Sequence, residues 1–185
     1  MRGGDILILT KPLGTGTLLA ADMRYKASQN WMQNALEQML QSNKKGAACL
    51  INHSATACTD ITGFGLAGHL IEMLSAKNAE IELSLTNIPA LNGALDTLQQ
   101  NIFSSLHNDN KLSTNRIYNH EDFTHDPKFE LLFDPQTAGG LLASVPDENA
   151  EECLRELRNS GYSDAKAIGR ISKLGGHLPS IVLKE

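Results

Sequence analysis

The sequence contains no apolar run that approaches the length needed to span a bilayer, so no membrane partner is expected. It also lacks a basic excess. The formal net charge is −5, whereas a nucleic-acid-coating surface needs clustered Lys and Arg, so no nucleic-acid partner is expected either. The opening "MRGGDILILTKPLG" has neither a signal peptide's long apolar stretch nor its small-residue cleavage site, which makes a cytoplasmic address the default. A disulfide framework is missing too: Cys49, Cys58 and Cys153 lie far apart with no C-x-x-C pair. Such an odd, scattered set suits reduced, mostly buried thiols. The histidines give no metal signal. None forms an H-x-x-x-H pair or stands beside a Cys in zinc spacing, so His53, His69 and His177 read as structural or exposed.

What is present is ordinary for a globular domain. Hydrophobic residues make up 41% and charged residues 20% of 185, enough for one domain with a real core. "DILILT" (5–10) reads as an opening strand, stopped by Pro12 and two glycines in "KPLGTGT" (11–17). "LLAADMRY" reads as helix, as does "NWMQNALEQMLQS" (30–42), with "KKGAACLINHS" as its short partner. In the second of these, Trp31, Ala35, Leu36, Met39 and Leu40 recur at helical spacing and are expected to pack into the core. "ATACTD" (55–60) is a short strand, and the helix expected over 63–77 carries Leu66, Leu70, Ile71 and Leu74 on one face. "AEIELSLT" (79–86) alternates as a half-buried strand, and "NIPALNGALDTLQQ" reads as a turn and then a helix. Residues 101–127 lack periodicity and are expected as a long surface loop or irregular helix. "KFELLFD" (128–134) and "LLASVP" (141–146) read as strands on either side of the turn "PQTAGG". The clearest helix is 147–161, acidic at its start, basic near its end and stopped by Gly161. "AKAIGRI" and "SIVLKE" close the chain as strands. Helices and strands intermix without a βαβ rhythm, which predicts an α+β fold class of mixed α/β layers.

Three segments share one design, a strand running into a turn rich in Gly and Thr: 11–17, 59–65 and 134–140. Glycine lets backbone N–H groups approach an anion, and a helix N-terminus adds favourable partial charge, so either of the first two turns could face a phosphate. The third fits a tight hairpin equally well. No Walker loop is present, and "GFGLAG" (63–68) has dinucleotide-site glycine spacing around a helical, apolar middle. Asp60 ends the second strand as a lone carboxylate, and two readings of it stand. In one, Asp60 or Thr62 caps the helix expected over 63–77. Alternatively it holds Mg2+, which in phosphoryl-transfer sites takes one or two carboxylates with phosphate oxygens and water. Lys11 is either a phosphate neutraliser or a solvated strand-end lysine, and Asp134 before Pro135 reads as turn chemistry. No nucleophile–base pair is evident.

Taken together, "GDILILTKPLGTGTL", "ACTDITGFGLAGHLIEML" and "FDPQTAGGLLASVP" resemble the C-terminal half of selenophosphate synthetase (selenide, water dikinase). The order and spacing of all three blocks agree, and the tail "CLRELRNSGYSDAKAIGRI" also fits; agreement is weakest over 101–127. The resemblance implies an aminoimidazole ribonucleotide synthetase-like C-terminal domain, a mixed sheet flanked by helices, spanning 1–185. It implies an enzyme that makes selenophosphate from selenide and ATP, releasing AMP and orthophosphate and needing Mg2+. It also implies that Asp60 is a metal ligand, which shifts the weight away from the cap. Lys11, Gly14, Thr15, Gly16, Thr62 and Gly63 become expected phosphate or nucleotide contacts. The family usually has Ser where Ala138 stands, so any hydroxyl function there is absent. The family's catalytic Cys or selenocysteine, its essential Lys and its Gly-rich ATP loop belong to an N-terminal half preceding "GDILILTKPLG". The chain is therefore expected to need that N-terminal domain, to work as a homodimer when full length and to be inactive alone. "NIFSSLHNDNKLSTNRIYN" looks more like the version fused behind a pyridine-nucleotide/flavin oxidoreductase domain. Other readings are a thiamine-monophosphate kinase or hydrogenase-maturation protein of the same superfamily, or a catalytically silent assembly domain using 101–127 as a partner surface.

Overall fold

In the computed structural model, residues 1–74, 79–173 and 181–185 are described. The last residues of the helix expected over 63–77, and His177, lie outside them. Six strands form one sheet in the order β2-β4-β1-β5-β3-β6. They are β1 (Ile6–Leu9), β2 (Ala57–Asp60), β3 (Ala79–Ser84), β4 (Leu141–Val145), β5 (Lys166–Lys173) and β6 (Ile181–Lys184). Every neighbouring pair is antiparallel except β3 with β6. The mixed sheet flanked by helices is the architecture expected from the sequence.

Period-two alternation decides what each face buries. Leu7 and Leu9 point into the larger core with Leu142, Ile81, Leu83, Ile168 and Ile171, beneath α4 (Gly65–Leu74) and α7 (Pro127–Leu131). Ile8 points the other way, joining Leu141, Ala143 and Val145 under α3 (Lys44–Asn52) and α8 (Asp147–Asn159). β4 is buried at all five positions because both faces are covered. α8 forms where acidic residues open it and Arg158 closes it, and Gly161 at φ +104° turns the chain after it.

Two expectations need correction, and a third is narrowed to one of its alternatives. α7 is helical where a strand was read. Asp126 Oδ1 accepts the Lys128 N–H at 2.8 Å and Pro127 sits at the first helical position, so a local start signal outweighs the apolar run that follows. The third turn therefore joins a helix to a strand and is no hairpin. α2 (Gln29–Leu40) is where expected, but its stripe is not core: only Ala35 is buried, while Leu36 is 50% and Leu40 84% exposed. The helix lies on a small cluster of Leu18, Leu91 and Ala94 rather than on the sheet, and that cluster is too narrow to cover its whole apolar face. Segment 101–127 is irregular helix, with α6 (His107–Lys111) followed by 3-10 turns at Leu112–Arg116 and His120–Phe123. It is not merely a surface loop, since Ile102, His107 and Ile117 are buried. The remaining helices are α1 (Thr15–Asp22) and α5 (Ala94–Gln99).

Candidate functional site

The three Gly/Thr turns converge at one end of the sheet. The Gln136 N–H donates to Thr62 O at 2.9 Å, the Ile61 N–H to Gly140 O at 2.9 Å, and the Thr137 N–H to Thr15 Oγ1 at 2.9 Å. Gly139 and Gly140 let the third turn pass under the other two. A Cβ at Gly139 would strike the Ile61 carbonyl, and one at Gly140 would lie 2.7 Å from Lys11 N.

The start of α1 is already occupied by side chains. Gln136 Oε1 accepts the Gly14 N–H at 3.1 Å, the Thr15 N–H at 3.2 Å and the Thr15 hydroxyl at 3.2 Å. Asp134 Oδ2 accepts the Gly16 N–H at 3.1 Å and Gln136 Nε2 at 2.9 Å. These are the donors that make a helix N-terminus an anion site, and here Gln136 and Asp134 engage them within the chain. Asp134 is fully buried and burial pushes its carboxyl up to about 7, against the hydrogen bonds from Gln136, Gly16 and Thr17. Its Oδ1 has no hydrogen-bond partner among the described residues.

Lys11 is not the solvated strand-end lysine of one reading. It is 2% exposed, and its ammonium donates to Gln41 O at 2.7 Å, Gln38 O at 3.1 Å and Ala138 O at 3.2 Å. Two of those carbonyls belong to the last turn of α2 and its cap, where a cation complements the helix dipole. Burial lowers the Lys11 ammonium from its ordinary value.

Asp60 closes β2, an edge strand, and is exposed, with its backbone held opposite Leu141. The cap reading loses its geometry here. The Thr62 N–H is taken by His69 Nε2 at 3.1 Å, and no hydrogen bond among the described residues joins the Asp60 carboxylate to the turn. With Nε2 accepting, a neutral His69 carries its proton on Nδ1, toward Glu72 Oε2 at 3.0 Å. His69 is thus structural, and so is the Thr62 hydroxyl paired with it at 3.1 Å. One exposed oxygen-donor carboxylate fits a share of a Mg2+ shell but not a whole one. Among the described residues, no group of three metal-ligating side chains includes Asp60.

Beside this junction lies a groove of about 640 Å³. Gly16 and Gly63 line it; Lys11, Gly14, Thr15, Thr62 and Asp60 do not. Its far wall comes from the 101–127 segment, with Phe103, Ser104 and Ser105, and Arg24 brings a cation whose Nη2 donates to Phe103 O at 3.3 Å. That wall is anchored from behind. His107 stacks on Phe103 with centroids 4.3 Å apart and meets Glu130 Oε2 at 2.9 Å, and Lys111 meets Glu130 Oε1 at 2.6 Å. The hydrogen bond from His107 holds the Glu130 carboxyl below its usual value despite burial, with Lys111 helping. Sequence reasoning missed Gln136, Arg24 and this wall. Their partners lie far along the chain, and only the DPQ step after an apolar run hinted at a polar plug.

The mixed six-stranded sheet flanked by helices is the fold of AIR synthase related C-terminal domains, the class that the resemblance implied. Residues 2–177 match the family described as AIR synthase related protein, C-terminal domain, and the chain belongs to that family. Among its relatives, the selenide, water dikinase of Carboxydothermus hydrogenoformans is 40% identical over 184 residues, covering 98% of this chain and 51% of the relative. That of Clostridioides difficile is 36% identical over 179 residues, covering 94% and 50%. The chain thus spans about half the length of the curated relatives it matches. The E. coli hydrogenase maturation protein HypE superposes with a TM-score of 0.67 at 17% identity, over all of this chain and 47% of that one. A structure of HypE in complex with ATP gives 0.60 at 18% identity, over 98% and 48%. At these identities the likeness shows the fold alone. No helix among the described residues is long and apolar enough to cross a membrane.

Proposed function

We propose that this chain is the C-terminal domain of a selenophosphate synthetase, which makes selenophosphate from selenide and ATP with AMP and phosphate as the other products. The observation that carries the reading is identity of 36–40% to selenide, water dikinases across nearly the whole chain. In this proposal Asp60 supplies one carboxylate to Mg2+, and the groove beside Gly16 and Gly63 forms part of the nucleotide or substrate site. Phosphoryl transfer needs charge neutralisation and positioning more than covalent help, so a domain offering one metal ligand and one groove wall has a physical role. The ATP-bound structure of HypE, with the same fold, supports ATP as the nucleotide. The relatives' doubled length supports an N-terminal domain of the same protein as the partner. The exposed Met23, Leu36 and Leu40 are apolar surface for it to cover. A cytoplasmic setting and a homodimer of the full-length protein complete the proposal, the former in keeping with three free thiols.

The test uses the full-length protein and selenide-dependent AMP formation. Asp60→Asn is expected to lower Mg2+-dependent turnover by about 100-fold or more, as loss of a charge-stabilising group does. Melting temperature should stay essentially unchanged, because no hydrogen bond or ion pair among the described residues uses this exposed side chain. Normal turnover in the variant, or no selenide-dependent AMP from the parent, would sink the reading.

A further inference from the structure

The face of the sheet opposite α4 carries a cluster that the proposed function does not use. Cys49 and His53 stand four residues apart at the C-terminal end of α3, and Cys153 and Glu156 three apart on α8, so each helix aims two groups at the other. The ligand atoms of Cys49, His53 and Glu156 all lie within 4.8 Å of one another. His53 Nε2 meets Glu156 Oε2 at 2.8 Å, and Cys49 Sγ is 3.7 Å from the Cys153 carbonyl, with the Cys153 thiol beside it. Spacing had placed no His near a Cys in zinc geometry; the packing of α3 on α8 supplies what the sequence interval did not.

The chemistry of the donors narrows what they suit. One thiol, one imidazole and one carboxylate are the ligand types of a tetrahedral zinc site. Bond lengths of roughly 2.0–2.3 Å around such an ion put its ligands about 3.3–3.8 Å apart. The three ligand atoms lie within 4.8 Å of one another, close to that spacing, and the Glu156 side chain, 44% exposed, has room to adjust. Glu156 also gives an entry path from solvent. The field is one-signed: Glu156 is the charged neighbour of both thiols, and no Lys or Arg among the described residues pairs with it. The bland alternative is an ordinary His–Glu pair between two helices.

We propose that Cys49, His53 and Glu156 form a binding site for a thiophilic divalent cation, zinc by donor type, that clamps α3 to α8, with Cys153 or water completing the shell. The site is separate from the groove and from Asp60, so its test does not depend on the activity proposed above.

The experiment titrates the untagged, reduced full chain with Co2+ and then Zn2+. The expected result is one tight equivalent of Co2+ with a thiolate-to-cobalt charge-transfer band and tetrahedral d–d absorption, displaced by Zn2+. Cys49→Ser should abolish the charge-transfer band where water completes the shell, and cut it by about half where Cys153 does. His53→Gln and Glu156→Gln should each weaken Zn2+ affinity by about tenfold or more. Glu156→Gln keeps the half-exposed side chain's shape, so circular dichroism should show it folded. Cys58→Ser should leave the titration unchanged. Absence of the charge-transfer band in the parent, its loss in Cys58→Ser, or parental zinc affinity in folded Glu156→Gln would each overturn the assignment.

Discussion

Asp5 and Asp134 are both buried aspartates whose carboxyls move in opposite directions. Burial pushes each upward. At Asp5, hydrogen bonds from Thr56, Ser144 and the Arg2 N–H outweigh it and hold the carboxyl below its usual value. At Asp134 burial wins, and the value rises to about 7. Stability from that group is fully present below its unfolded value of 3.8 and is lost as pH climbs through about 7. Asp134→Asn, which keeps an acceptor for the Gly16 N–H, should therefore flatten the fall in stability between about pH 4 and about pH 7. Urea unfolding at a series of pH values reads this directly; an unchanged slope would show that Asp134 stays ionised. Lys11 gives a second residue-scale test. Lys11→Met leaves three carbonyls without their donor and should cost about 3 kcal/mol of stability. A Lys11→Met protein of parental melting temperature would return this side chain to the phosphate.

Elements were legible where local signals agreed and illegible where tertiary contacts decided. α8 announced itself through charge order and a terminal glycine, and β3 through alternation. For α7, an Asp-Pro start signal outranked an apolar run that resembled a strand. The stripe of α2 obeyed helical spacing, yet spacing reports only that one face is apolar, not that anything covers it. In 101–127 order comes from His107, Glu130 and Phe103 meeting across the chain, which no short window can contain. α1 begins against a plug 120 residues away, and Gly16 is the tight point. A Cβ there would meet the Pro135 carbonyl and lie 2.7 Å from Asp134 Oδ1. Gly16→Ala should destabilise by about 2 kcal/mol and loosen the turn junction, seen as faster amide exchange at Gly14 and Thr15.

Across the whole molecule, the layered class and the shared design of the three turns were readable, because glycine-rich strand ends and family-like blocks are sequence properties; that the turns meet was not, because it depends on long-range pairing. The consumption of α1's donors was not, since both acceptors come from the far third of the chain. Strand order carries the remaining test. No two of β1, β2 and β3 pair with each other; each finds its partners among β4, β5 and β6. A chain cut before Leu141 should show no cooperative melting and little strand signal by circular dichroism, whereas a cooperative transition would mean that a different sheet forms. The same order bears on synthesis. β1 is translated well before β4 and β5, the two strands that flank it. An apolar Ile-Leu-Ile-Leu segment with two open edges must therefore wait until β4 and β5 have been made, which makes this domain a natural client for chaperones that shield nascent strands.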